Sequence, residues 1–149
     1  MVKNTVINAE LGYALSTARH GDAVVICDAN MPIPDGCNVI DVSLVRGVPT
    51  LLLTLQAILN DLVVERYEVF ELMPRYNPKM HQEVQQLLPQ LSGGTISQEK
   101  LTECMRGAKA VVRTGDLGSC CTMVLYSASG MDKYVARFDC SFPGIGNAR

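Results

Sequence analysis

The sequence predicts one α/β domain, a largely parallel or mixed sheet with flanking helices. Three observations predict it. The chain has 149 residues, 48% hydrophobic and 19% charged, enough apolar material for one core and little room for a second domain. Helical stripes alternate along it with short strand-like runs. The clearest run, Ala23–Cys27, reads Ala-Val-Val-Ile-Cys with no polar residue, the pattern of a strand buried on both faces.

In chain order, Asn8 is placed to cap a helix with the stripe Leu11, Ala14, Leu15 and Ala18, ending near His20-Gly21. The strand Ala23–Cys27 opens at Asp28 into a loop carrying Pro32, Pro34 and Gly36. In 39–44, Ile40, Val42 and Leu44 alternate with Asp41 and Ser43, which predicts a strand broken by Gly47-Val48-Pro49. Residues 50–62 show the broad apolar face of a buried helix, and 66–73 read as a strand. Asn77-Pro78 pairs a cap with proline at the first helical position, predicting a helix to about Leu91. Ser92-Gly93-Gly94 reads as a loop. Ser97 caps a helix to Arg106, closed by Gly107, with Leu101, Cys104, Met105 and Ala108 inward. Short strands follow at 110–112 and 121–127, joined by the turn-rich 114–118, with a further strand expected at 135–138 and a loose end from Pro143.

Composition excludes several classes of function. Thirteen basic against fifteen acidic residues give a formal charge of −2, with no block of basic residues. A phosphate backbone needs a positive face, so nucleic-acid binding is disfavoured. No apolar stretch approaches the ~20 residues that cross a bilayer, and the first residues lack a signal peptide's apolar centre. A cytosolic, non-membrane protein is expected. The six cysteines are irregularly spaced without C-x-x-C, and there are two histidines, so no metal site is expected. The thiols read as small core residues in a reducing compartment.

Two places can carry chemistry. The first is His20-Gly21-Asp22, the five-residue strand, and Asp28. Histidine titrates nearest neutrality, so His20 can give and take a proton; Asp22 can orient its ring and Asp28 can bind a hydroxylated ligand. The plain alternative makes His20 a helix C-cap and the two aspartates turn formers. Five strand residues span ~16 Å. His20 and Asp28 therefore stand at opposite ends of one strand, and meet at one small ligand if loops fold back or if the pocket is shared between subunits. The shared pocket is the favoured reading. The second place is 113–122. Its glycines make neither a P-loop nor a G-x-G-x-x-G fingerprint. Cys120 as a nucleophile with His20 as base stands against the plainer reading of a buried inert thiol. His81 reads as a surface histidine, and Glu65, Glu68 and Glu71 as strand decoration.

The motifs His20-Gly21-Asp22 and Cys27-Asp28-Ala29-x-x-Pro32-x-Pro34, followed by Ile40-Asp41-Val42, Gly47-Val48-Pro49 and Ala110-Val-Val-Arg-Thr-Gly-Asp116, resemble the ribose pyranase / fucose mutarotase (RbsD/FucU) family over about residues 1–128, nearer the pyranase branch. The resemblance implies a cytosolic, cofactor-free enzyme that interconverts anomers or ring forms of a free monosaccharide. It also implies ring-shaped homo-oligomers, such as decamers of two pentamers, with pockets near subunit contacts. It makes His20 the proton-transfer residue and Asp28 a sugar ligand. The domain is then 1–149, with 130–149 a C-terminal extension beyond the usual family ending. Three positions depart from the family. Gln98 stands where pyranases have His and fucose mutarotases Arg, and Cys120 and Thr122 stand where the family has Tyr and Asn. Gln98 hydrogen-bonds but has no acid or base function near neutrality. Cys120 lacks a ring to cover a sugar face, and Thr122 keeps a hydroxyl without the amide. The expected function is a mutarotase or pyranase-like isomerase with altered sugar preference, with Gln98, Cys120 and Thr122 lining the far side of the pocket. The alternatives are a non-catalytic monosaccharide-binding or regulatory protein of the same fold, and a purely structural oligomer.

Overall fold

The computed structural model describes residues 6–130. The strand expected at 135–138, Cys140 and all but the first residue of the extension 130–149 lie outside them.

The elements alternate as the pattern requires: α1 (Ala9–Thr17), β1 (Ala23–Cys27), β2 (Val39–Asp41), α2 (Leu51–Asp61), β3 (Val64–Phe70), α3 (Met73–Tyr76), α4 (Pro78–Leu87), β4 (Ser92–Ile96), α5 (Gln98–Gly107), β5 (Ala110–Arg113) and β6 (Met123–Ser127). The sheet order is β2-β5-β1-β6-β3-β4. Pairs β2·β5, β5·β1 and β3·β4 are parallel, while β6 runs antiparallel to both neighbours. The sheet is mixed and, β6 apart, parallel.

Both faces are covered, which is why β1 lacks polar alternation. On one face Val24, Ile26, Val112, Met123 and Leu125 pack with Leu11 and Leu15 of α1, Leu51, Leu55 and Ile58 of α2, and Val84 of α4. On the other, Val25, Cys27, Val111 and Val124 pack with Leu101 and Met105 of α5. Cys104 and Ala108, also expected inward, are half-buried at that cluster's margin.

Among the described residues four of the five helices start at side-chain caps, three of which, Asn8, Asn77 and Ser97, the sequence announces. Asn8, Thr50, Asn77 and Ser97 each accept a backbone N–H from the first turn that follows. Several ends differ from expectation. Helix α1 stops at Thr17 with Ala18 as C-cap, so His20 is not a helix cap. Residues 19–22 instead form a turn closed by Asp22 N–H to the Arg19 carbonyl (2.9 Å) and by the Asp22 carboxylate accepting from Arg19 N (2.8 Å). Strand β2 stops at Asp41 because its carboxylate accepts from Ser43 N and turns the chain. Strand β3 starts and ends earlier than expected, giving way to α3, and α4 stops at Leu87. The 92–94 loop is in fact the start of edge strand β4. Its glycines answer a close approach: a Cβ on Gly93 would lie 2.6 Å from Cζ of the Tyr67 ring.

Among the described residues, no helix is long and apolar enough to cross a membrane.

Candidate functional site

The C-terminal end of β1 meets the N-terminal end of β6, and there three of the expected residues come together. Asp28 is 9% exposed. Its Oδ1 accepts from Asn30 N at 3.0 Å and its Oδ2 from the Thr122 hydroxyl at 3.4 Å. Burial pushes the Asp28 carboxyl above its ordinary value, against the hydrogen bonds from Asn30 and Thr122. Cys120 is half-buried and adopts φ 59°, a left-handed conformation rare outside glycine. Burial, then the Asp28 charge, raises its thiol. A thiol held protonated is a poor nucleophile. His20, its imagined base, stands at the far end of β1, so the Cys120–His20 nucleophile is not assembled within one protomer.

The loop that delivers Cys120 and Thr122 is clamped from two sides. Thr114 N–H and Oγ1 both donate to the Cys27 carbonyl at 2.9 Å, and Ala29 N–H donates to the Asp116 carbonyl at 2.9 Å. Asp116 is buried; its Oδ2 accepts from Leu51 N at the start of α2 (2.9 Å) and its Oδ1 from Gly118 N (2.8 Å). Gly115 sits against the carbonyl oxygens of Val45 and Val48, where a Cβ would collide with both. The cis peptide bond Val48-Pro49 lies in the same clamp, with the Pro49 carbonyl accepting from Gly115 N at 2.9 Å.

Gln98 opens α5, beyond the end of β4. Its backbone N–H donates to Glu71 Oε1 at 3.3 Å, and its side-chain amide reaches Thr102 Oγ1 of its own helix at 3.4 Å. It is exposed, and it makes no hydrogen bond to Asp28, Cys120 or Thr122.

His20 lies at the opposite end of β1, in the turn that precedes the strand. Its side chain is 64% exposed, and its Nδ1 lies 3.4 Å from Glu65 Oε2. Asp22 was expected to orient this ring. Its carboxylate instead holds the Arg19 backbone, and the carboxylate beside the imidazole belongs to Glu65. The expected site residues on β1's flanks thus fall into two groups, one at each end of the strand. Glu65 and Asp116 are the polar residues missed as parts of the site. Asp116 had a signal in its place within Thr-Gly-Asp, and Glu65 had none.

Two further thiols, Cys27 and Cys121, are buried and poor nucleophiles. Burial pushes Cys27 and Cys121 up to about 12. All five described cysteines are free, and among the described residues no group of three or more His, Cys, Asp or Glu is placed to hold a metal ion.

The fold and the sequence together define the class. Residues 1–129 match the RbsD / FucU transport protein family, and the chain belongs to it. Among relatives, the D-ribose pyranase of Aliivibrio fischeri is 36% identical over 124 residues, 78% of this chain and 89% of that protein. The D-ribose pyranase of Glaesserella parasuis is 34% identical over 135 residues, 85% of this chain and 97% of that one. Among solved structures, Bacillus subtilis RbsD complexed with D-ribose superposes with a TM-score of 0.81 at 28% identity, covering 86% of this chain and 98% of that one. The Streptococcus pneumoniae fucose mutarotase, in complex with L-fucose, shares the fold at a TM-score of 0.73 and 20% identity, covering 86% and 98%.

Proposed function

We propose that the protein is a sugar isomerase of the pyranase and mutarotase type, interconverting anomers or ring forms of a free monosaccharide. The observation that carries this reading is the buried Asp28–Thr122 pair beside Cys120, in a chain 36% identical to a D-ribose pyranase. A cyclic hemiacetal opens when a base takes the anomeric hydroxyl proton and an acid protonates the ring oxygen. The open aldehyde rotates, or offers another hydroxyl, and closes. No electrons leave and no group is transferred, so proton transfer by side chains is sufficient chemistry.

In this reading His20 moves the proton, Asp22 fixes the turn that presents it, and Asp28 and Thr122 bind sugar hydroxyls. Gln98 and Cys120 line the far side. One protomer's His20 serves a neighbour's Asp28, because the intervening strand of five residues spans ~16 Å. Exposed Leu44, Val45, Val48, Leu53 and Leu117, on the clamp loops and the first turn of α2, support a second copy of the chain covering the Asp28 edge. A closed ring of copies, as in a decamer of two pentamers, would satisfy every pocket.

Saturation-transfer NMR on ribose and fucose tests the activity. Anomeric exchange should quicken with the protein, and His20→Ala should lose the ~10²–10⁴-fold that a placed acid/base supplies. Wild type and variant behaving alike on every sugar would sink the reading. Calorimetric sugar binding without faster exchange would replace it with a binding protein. The shared pocket has its own test. His20→Ala and Asp28→Asn should each be inactive, yet co-expressed at equal levels they should return about one quarter of wild-type activity, since one neighbouring pair in four combines sound halves. No recovery would place both halves of each pocket in one protomer.

A further inference from the structure

The imidazole of His20 has a carboxylate beside it that its own turn does not supply, and the strand carrying that carboxylate is locally irregular. Strand β3 pairs with β6 at Val64↔Ser127 and at Arg66↔Tyr126. Two steps along β3 match one step along β6, so Glu65 is the extra residue of a β-bulge. A bulge re-aims the side chain it carries. Ser127, opposite Val64, also suspends the histidine turn: its carbonyl accepts from Gly21 N at 2.8 Å and its N–H donates to the Asp22 carbonyl at 2.9 Å. Bulge and turn therefore hang from one residue of β6, which fixes the approach of Glu65 Oε2 to His20 Nδ1 at 3.4 Å. The side chains are 64% and 37% exposed, so core packing does not force them together. An exposed pair contributes little to stability, and its worth lies in orientation.

We infer that Glu65 is the positioning residue of His20: its carboxylate, aimed by the bulge, selects the tautomer with the proton on Nδ1 and leaves Nε2 bare to receive the anomeric hydroxyl proton. The inference rests on His20 being the proton-transfer residue of the proposed isomerase. A partner on one ring nitrogen decides the state of the other. The proton taken by Nε2 is then available to the ring oxygen, and the ring returns to its starting form after each turnover.

The chain has two histidines, so His81→Asn leaves one ring in a two-bond ¹H–¹⁵N spectrum of the whole protein. At about pH 8.5, where ordinary imidazoles are neutral, His20 should show the Nδ1–H pattern. Glu65→Gln keeps an acceptor oxygen and should keep that pattern, whereas Glu65→Leu should switch it to Nε2–H. In exchange kinetics Glu65→Leu should lower kcat about ten- to a hundredfold with KM little changed, the range found when a metal-bound histidine loses the carboxylate that orients it, and Glu65→Gln should recover most of it. The same tautomer in wild type and Glu65→Leu overturns the inference. A switch of tautomer in a protein whose wild type accelerates exchange of no sugar supports the hold of Glu65 on the ring and rejects the isomerase reading instead.

Discussion

Burial raises the Asp28 carboxyl, the Asp116 charge adds to the rise, and the hydrogen bonds from Asn30 and Thr122 only partly oppose it. A carboxyl raised in the folded state binds its proton more tightly there than in the unfolded chain. Its contribution to stability is complete below the unfolded value of 3.8 and is lost as pH rises through the higher folded value. The raised Asp28 carboxyl is therefore a stability cost at neutral pH. The neutral isostere Asp28→Asn should melt higher than wild type at pH 7, with the gain shrinking on acidification toward pH 3.8, while exchange activity is lost. Thermal melts across that range check it, and a variant melting lower at pH 7 contradicts the account. At this scale the meeting of Asp28, Cys120 and Thr122 at one end of β1 was legible, because they flank apolar runs that read as buried strands. Asp22 holds the turn rather than the ring because its carboxylate reaches back past His20 to the backbone N–H of Arg19, three residues earlier. Glu65 was invisible because its aim depends on cross-strand register.

The loop at 114–122 is an interlocking element more than a flexible lid. Asp116→Ala would strand two backbone donors, Leu51 N and Gly118 N, of which the first is buried. The cost should be about 1–3 kcal/mol, and each kcal/mol lowers the melting temperature of a chain this size by roughly 2–4 °C. Differential scanning calorimetry measures it. A loss under ~0.3 kcal/mol would show that the clamp does not depend on Asp116. Gly115→Ala, driven into the Val45 and Val48 carbonyls, should be worse. Most elements were readable from local pattern: β1 has the predicted bounds, and Asn8, Asn77 and Ser97 cap where expected. Strand β4 was not, because Ser-Gly-Gly reads as a loop unless the Tyr67 ring lying over Gly93 is known.

At the scale of the molecule, the clamp loops and the first turn of α2 leave Leu44 79% and Leu53 55% exposed. A second copy covering them would gain about 1.5–3 kcal/mol for each leucine fully buried. Leu53→Asp should therefore shrink the assembly in analytical ultracentrifugation and abolish exchange, while circular dichroism stays native. An assembly of unchanged size would place the interface elsewhere. The two ends of β1 have one more consequence. In the proposed shared-pocket assembly, with a half-site at each end, every chain would be a member of two pockets at once. A chain spoiled at both ends poisons its company, because sound pockets decline as the square of the sound fraction. Sound chains mixed with an equal number spoiled at both ends would keep about one pocket in four.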